Sequence, residues 1–571
     1  MKKKAVSLLL SLLVLAAGTG CSSGGNAPAV ESAEESASSG SESETEASED
    51  DSQDTSDETL FGSNEEDAVS EASDTSAKSS DTRIRLAVTY FDQSRYTDKD
   101  RDLYFECSGD HILCTPDIKD AYPELTKALQ DIADDEESYF ADNLREYDSD
   151  ALEYLKSTRS SGGEYHYMYY ADDFLKRADD KCVSIVRIVN GYLGGAHPDY
   201  FYETFNIDTD TGDQIVLSDI ISDQDRLNDI LEQKLTADYP DVEYFGLKDS
   251  LAEYDMTITE DADDNDGDYK PAYLFTLDPD GISFYFSPYG ISAYAYGDQV
   301  VKILYDEEPD LFKKDFSYDG PYVSYLTGLD NKYGIEDSVE LIRVQKSDDD
   351  DNNYFQQIDI YKGDKELSLK DLYYFSLVSY IVHTDNGGDF VYVIANTDND
   401  YKLFYAADLR GAAPSQITLD PDVNYCYGSY IDEKAGIYET LLPLYPDYME
   451  LGVSCDLLST YSATGDYTVQ DDGTLQLNEK YLTIPVDSLV LTSKMDLTAD
   501  VVDEDGNVVE KDATIKKGSE YTLYRTDGKS IVDARIDDGR LVRLELSSEY
   551  PRTVNGEYDE ESLFDGLMYA G

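Results

Sequence analysis

Tryptophan is absent from the 571 residues, histidine occurs only four times, and 45 basic residues face 122 acidic ones, for a formal charge of −77. Too little positive charge is present for a phosphate-binding face or a polybasic lipid-docking patch, so nucleic acid and anionic headgroups are excluded as default partners. The scarcity of histidine argues against a His-rich metal centre. After the first twenty residues no stretch approaches eighteen apolar residues, so no later transmembrane helix is expected. The GxSxG, HExxH and SxxK motifs are missing, which removes the commonest nucleophile and metalloprotease signatures. The length suits about three or four domains. Tyrosine is abundant at 50, which favours half-buried strands over deep apolar interiors.

The N-terminus reads as an address. Lys2, Lys3 and Lys4 precede an apolar run from Ala5 to Ala17, and "AAGTGCSSGG" follows. This is a lipoprotein signal peptide over residues 1–21, with Gly18 where such signals usually have Leu. Cys21 is the expected lipidation site. Two acyl chains carried on its thiol would give stable anchoring to the outer face of a bacterial cytoplasmic membrane. Residues 22–82 are nearly all Ser, Glu, Asp, Ala, Gly and Thr, the composition of a disordered acidic stalk.

The folded part is expected to be α+β. "RIRLAVTYF" alternates as a strand, and Ile118, Tyr122, Leu125, Leu129 and Ile132 mark one face of a helix. A second helical stretch is expected through Phe140, Leu144, Leu152 and Leu155, before strands in "CVSIVRIVNGYLGG". Next, "DYFYETFNID" and "QIVL" read as paired strands, and Ser218 or Asp219 as the cap of the helix "QDRLNDILEQKL". "GISFYFSPYGISAYAYGDQVVKILY" reads as two or three short strands broken by Pro288, Gly290 and Gly297. These patterns divide the region into 83–190 and 191–308, with helices laid on an antiparallel sheet. A β-rich domain is expected over 309–494. Five short strands with turns at Gly506, Gly518, Gly528 and Gly539 suggest a small SH3-like barrel within 495–571.

Five cysteines follow Cys21, and outside the membrane disulfides Cys107–Cys114 and Cys426–Cys455 are allowed, leaving Cys182 over. None has the CxxC spacing of a zinc or redox site. The acidic loop "EDADDNDGD" fails as an EF-hand, because placing Gly267 sixth puts Ala262 first and Tyr273 twelfth. No metal or cofactor is therefore expected.

Two strings stand out as candidate contact sites. In "GGAHPDY", Gly194 and Gly195 permit close backbone approach beside His197, with Pro198 fixing the next turn. In "SPYGISAYAYG", Pro288, Tyr289, Tyr294 and Tyr296 offer an aromatic face. Together with "FNIDTDTGDQIVLSDII", these strings resemble the paired domains that form the ectodomain of RsiV-type anti-sigma-V factors, over about residues 83–308. The resemblance implies envelope-facing recognition, with a cationic lysozyme-like hydrolase as the partner, and Gly194, Gly195, His197, Pro288, Tyr289 and Tyr294 as contact residues. With a lipobox in place of a transmembrane helix, the signalling relay is not carried over. The expected function is thus a membrane-anchored, non-enzymatic binding lipoprotein. The alternative is a peptidoglycan-directed enzyme or accessory using His197 and Asp199.

Overall fold

A computed structural model describes residues 83–569 except 98, 100, 161–165, 196, 264–268, 314–315, 319, 327–341, 347–353, 363–364, 398–401, 433–436, 486–488 and 549–551. The signal peptide, Cys21 and the stalk lie outside the described residues, as does most of the acidic loop.

The first sheet begins with β1 (Leu86–Asp92), β2 (Leu103–Cys114), the helix α1 (Pro123–Ser160), β3 (Tyr167–Ala178), β4 (Cys182–Tyr192) and β5 (Asp199–Asp208). Strand β2 pairs with β3 in parallel, as a crossover through α1 requires, and the other pairs are antiparallel. The outer edge of β1 is completed from far downstream: Ala87, Val88 and Thr89 pair with Leu441, Thr440 and Glu439 of the hairpin 429–441. Arg85 seals that junction. Its Nε donates to Glu450 Oε1 at 2.9 Å and its Nη1 to Asp117 Oδ2 at 2.6 Å.

One continuous helix of 38 residues stands where two were expected. Its buried stripe runs Leu125, Leu129, Ala133, Glu136, Phe140, Leu144, Ala151 and Leu155. The apolar periodicity lapses at Glu136, which reads as solvent-facing in sequence but is buried against Arg187. That guanidinium grips Asp173 with two nitrogens, at 2.6 and 3.1 Å, and Glu136 Oε2 with Nη1 at 3.0 Å.

A second layer carries the short helix α2 (Leu217–Ile220), α3 (Gln224–Asp238) and α4 (Leu247–Glu253) on an antiparallel sheet of β6 (Leu274–Leu277), β7 (Gly281–Phe286) and β8 (Gln299–Leu304). Leu227, Leu231 and Leu235 of α3 pack with Phe275, Phe284 and Ile303. The cap of α3 is Asp223, whose carboxylate accepts from Arg226 N. Ser218 and Asp219 lie instead inside α2. "QIVL" makes a single bridge, Ile207 to Gln214, rather than a strand. The carboxylate of Asp208 accepts from Asp210 N and Thr211 N, so this acidic turn uses its charge to close itself.

Downstream, the expected strands appear as 342–346, 355–362, 376–383, 389–396 and 402–408. The last five, 497–502, 508–515, 520–526, 531–536 and 541–545, are also present, with positive φ at Gly506, Gly518, Gly528 and Gly539. They continue through 482–483 into 460–469, 449–456 and 425–427, one sheet of twelve strands. The protein is α+β and β-rich. Among the described residues no helix is long and apolar enough to cross a membrane.

Neither allowed disulfide is formed: Cys107, Cys114, Cys182, Cys426 and Cys455 are buried free thiols. Cys107 and Cys114 are an odd number of positions apart on one strand, so their side chains leave opposite faces. Cys426 sits opposite Gly452 rather than Cys455, and its sulfur lies 3.1 Å from Ser462 Oγ.

His111 is 3% exposed, stacked on Phe91 at 4.7 Å, and neither ring nitrogen is hydrogen-bonded. Burial pushes its pKa down from 6.5 to about 4; Asp173 opposes the shift and Arg187 adds to it. The unfolded chain then takes the proton more readily than the folded one. Stability from this group is full above about pH 6.5 and declines as pH falls to about 4, by roughly 3 kcal/mol in all. His111→Phe keeps the stacked ring without the titration. The wild-type loss of melting temperature between pH 6.5 and 4 should therefore exceed that of the variant; equal losses would contradict a buried neutral His111.

Candidate functional site

Pro288 and Tyr289 occupy the middle of a turn that leaves β7, closed by Gly290 N donating to Ser287 O at 2.9 Å. Proline suits the second position, while the third requires φ > 0 and is ordinarily glycine. Here it is Tyr289, at φ +71° and 56% exposed. A non-glycine residue in that region costs about 1–2 kcal/mol, and such strain concentrates at functional sites.

The loop before β5 meets this turn. His197 stacks on Tyr294 at 3.8 Å with 21° between ring planes, and Tyr289 lies 5.9 Å from the imidazole. His197 Nδ1 is 3.0 Å from the Pro198 carbonyl, which can only accept, so Nδ1 carries the proton. Nε2 then accepts from the Tyr289 hydroxyl at 3.2 Å. Tyr294 OH donates to the same Pro198 carbonyl at 2.8 Å. The two candidate strings thus form one half-exposed cluster, with Pro288 beside Tyr289 in its turn.

The support beneath was not read from sequence. Tyr202 of β5 donates its backbone N–H to Ser287 Oγ at 3.1 Å and its hydroxyl to the Asp298 carboxylate, so it ties β5 to both ends of the 287–298 segment. Tyr202 is buried, and burial together with Tyr200 and Asp298 holds its phenol well above the usual range. The available signal was Tyr200 and Tyr202 on one face of a strand, with an acid following Gly297.

Three expectations are corrected here. Tyr294–Tyr296 forms a 3₁₀ turn and not a strand, because Ala293 and Gly297 place the chain in a tight reversal around Tyr296 N donating to Ala293 O. Of the two glycines only Gly194 is conformationally required: at φ +83° its Cβ would stand 2.5 Å from Tyr167 OH, whereas a Cβ on Gly195 would lie 3.5 Å from His197 O. Asp199 is exposed at the start of β5 and makes no hydrogen bond to His197, whose ring nitrogens are engaged elsewhere. Among the described residues no group of three or more His, Cys, Asp or Glu is arranged to hold a metal ion.

Residues 218–306 match the family model described as "Protein of unknown function (DUF3298)", so this segment is a DUF3298 domain. It contains Tyr289 and Tyr294 and stops short of His197. A crystal structure of a DUF3298 family member from Bacteroides fragilis NCTC 9343 is similar at 21% identity, covering 41% of this chain and 96% of that one, with a TM-score of 0.32. A DUF3298 family protein from Pseudomonas aeruginosa PAO1 is similar at 14% identity, covering 41% and 97%, with a TM-score of 0.27. No curated protein matches the chain.

If Tyr289 is kept for its exposed ring, Tyr289→Gly should leave the melting temperature unchanged or raise it, since relief of about 1–2 kcal/mol of backbone strain offsets the lost contacts. Gly194→Ala should lower stability by roughly 2 kcal/mol or more, through strained φ and collision with Tyr167. Thermal melts of both variants decide the matter. A large fall for Tyr289→Gly would make the ring structural and remove the basis for the site.

Proposed function

We propose that the folded region is an extracytoplasmic, non-enzymatic binding module that presents the Tyr289–His197–Tyr294 cluster to a protein of the cell envelope. A lipid on Cys21 holds it at the outer face of the membrane. The partner is a cationic lysozyme-like hydrolase, captured and thereby restrained. The observation that carries this reading is an exposed tyrosine kept in a strained turn where glycine would be cheaper, and hydrogen-bonded there to a histidine that is itself stacked on Tyr294.

Two further points support it. The cluster residues are those the RsiV-type resemblance implies, and Tyr289 and Tyr294 fall within the DUF3298 segment. The chain's charge of −77 also speeds encounter with a cationic partner. An exposed aromatic cluster matches the way binding energy concentrates in protein interfaces.

The test uses residues 83–571, because β1 needs the strand 437–441 on its outer edge. Titration with a c-type lysozyme should give saturable binding that weakens as salt rises from about 0.05 to 0.5 M. Tyr289→Gly should weaken it at least about tenfold, as expected of an interface centre. Absence of saturable binding at the lower salt concentration would sink this partner.

A further inference from the structure

The sheet that holds β1 to β5 carries α1 on one face. Phe91 meets Phe140 of α1, and Asp173 is joined to Glu136 of α1 through Arg187, so Tyr90 and Asp172 leave the opposite face. That face is covered in two places. At the end of β3, Lys176 Nζ donates to Tyr325 O at 3.0 Å and Ser324 Oγ donates to Lys176 O at 2.9 Å, so the strand 322–326 closes over it. Over β5, Tyr285 packs on Tyr202 at 5.0 Å. The area between is open. Tyr90 is 66% exposed, and the register that sets Thr89 opposite Glu439 brings Tyr438, 60% exposed, alongside it. Next to Tyr90 comes Asp110, and the register that pairs Gly109 with Ala171 puts Asp172 beside Asp110.

These two carboxylates are not balanced from within. Glu106, nearby on β2, is taken up by the Tyr170 hydroxyl and, at 2.8 Å, by His166 Nε2. Asp110 accepts from Asp173 N at 2.7 Å, but among the described residues neither Asp110 nor Asp172 is paired with a Lys or Arg. Burial, with the carboxylates of Asp173 and Asp172 nearby, holds Asp110 well above the usual carboxylate range. The helix face of the same strands shows which group such a set takes. There the Arg187 guanidinium lies among Asp173, Glu136 and Glu203, 4.9 Å from the Phe205 ring. On the open face, Asp110, Asp172 and Tyr90 offer the same carboxylates and ring from outside. Neighbouring strands stand about 4.8 Å apart, a gap that the planar fork of a guanidinium can bridge while lying on an aromatic ring.

We propose that this open face is a docking surface for an extended, arginine-bearing segment of a cationic protein, its guanidinium held by Asp110 and Asp172 against the Tyr90 ring. From Tyr438 to Asp172 three strand spacings come to about 14 Å, room for about four extended residues. The chain's charge of −77 favours such a partner. The inference goes beyond the Tyr289 cluster, since it holds whether or not a lysozyme-like hydrolase is captured there.

Calorimetric titration of the full chain with tetra-arginine amide tests this, at about 0.15 M salt so that diffuse attraction to the acidic chain is screened. Tetra-lysine amide presents the same charge on a different head. Tetra-arginine should bind saturably and at least about threefold more tightly than tetra-lysine. Asp110→Asn combined with Asp172→Asn should weaken binding at least about tenfold, without lowering the melting temperature, because two neighbouring like charges are removed. Asp225→Asn combined with Asp249→Asn takes the same charge from exposed positions of α3 and α4, and should cost less than about twofold. Tyr90→Ala removes an exposed ring and no charge, and should weaken binding about two- to fivefold; it decides the matter if the first pair fails to fold. The proposal is overturned by an absence of saturable binding, by equal affinity for tetra-lysine, by equal losses in the two paired variants, or by affinity unchanged in Tyr90→Ala.

Discussion

The seat of β1 is the constraint on which the rest of the architecture depends. An interior strand must find hydrogen-bond partners on both edges, and β1 finds the second in a hairpin from the far end of the chain. The Arg85–Glu450 pair beside it joins residues 365 apart, with Glu450 only 2% exposed. Removing Arg85 would leave the buried Glu450 carboxylate without its cation, a loss far greater than that of a surface pair. The N-terminal sheet and the β-rich half therefore cannot be formed independently to completion. Closing so long a loop also makes this pairing a late event in folding.

Register in the two large sheets is set by the same device in opposite senses. Asp173, Arg187 and Glu203 are cross-strand neighbours on β3, β4 and β5, a cation between two acids. Arg525, Asp533 and Arg543 are cross-strand neighbours on 520–526, 531–536 and 541–545, an acid between two cations. Asp533 is fully buried and receives Arg525 Nε and Arg543 Nε, each at 2.8 Å. A slip of one residue would turn each charge to the other face and strand it. In a chain so short of basic residues, several of the arginines are thus committed to the interior, where buried carboxylates accompany them.

Local pattern made much of this legible. Strand periods, the helix at 224–238, the glycine turns and both candidate contact strings are readable because neighbouring residues determine them. What was not legible depends on distant residues. Glu136 looked like a helix break because Arg187, which buries it, is 51 positions away. The cysteine pairs looked bridgeable because spacing does not reveal which face of a strand a side chain leaves. Gly194 and Gly195 looked alike until Tyr167 filled the space beside one of them. The meeting of His197 with Tyr289 required Tyr202 to bind Ser287 and Asp298, a tertiary event without a sequence motif.

Strand β7 joins the turn that carries Tyr289 to the buried Arg177. The turn before it supplies the Asp278 carbonyl to Arg177, and the turn after it carries Tyr289. Its six residues span about 20 Å, enough to keep the two ends chemically separate. Inside, Asp278 receives Thr276 Oγ1 at 2.9 Å and Ser283 Oγ at 2.6 Å, with Lys302 Nζ at 3.3 Å. Tyr285 packs against Tyr202 at 5.0 Å. A strand pinned by a buried polar network at one end and by an aromatic contact at the other has little freedom to relax. This rigidity is what allows Tyr289 to remain in a backbone conformation it would abandon in a mobile loop, and what keeps the Asp278 carbonyl within reach of Arg177 Nη1.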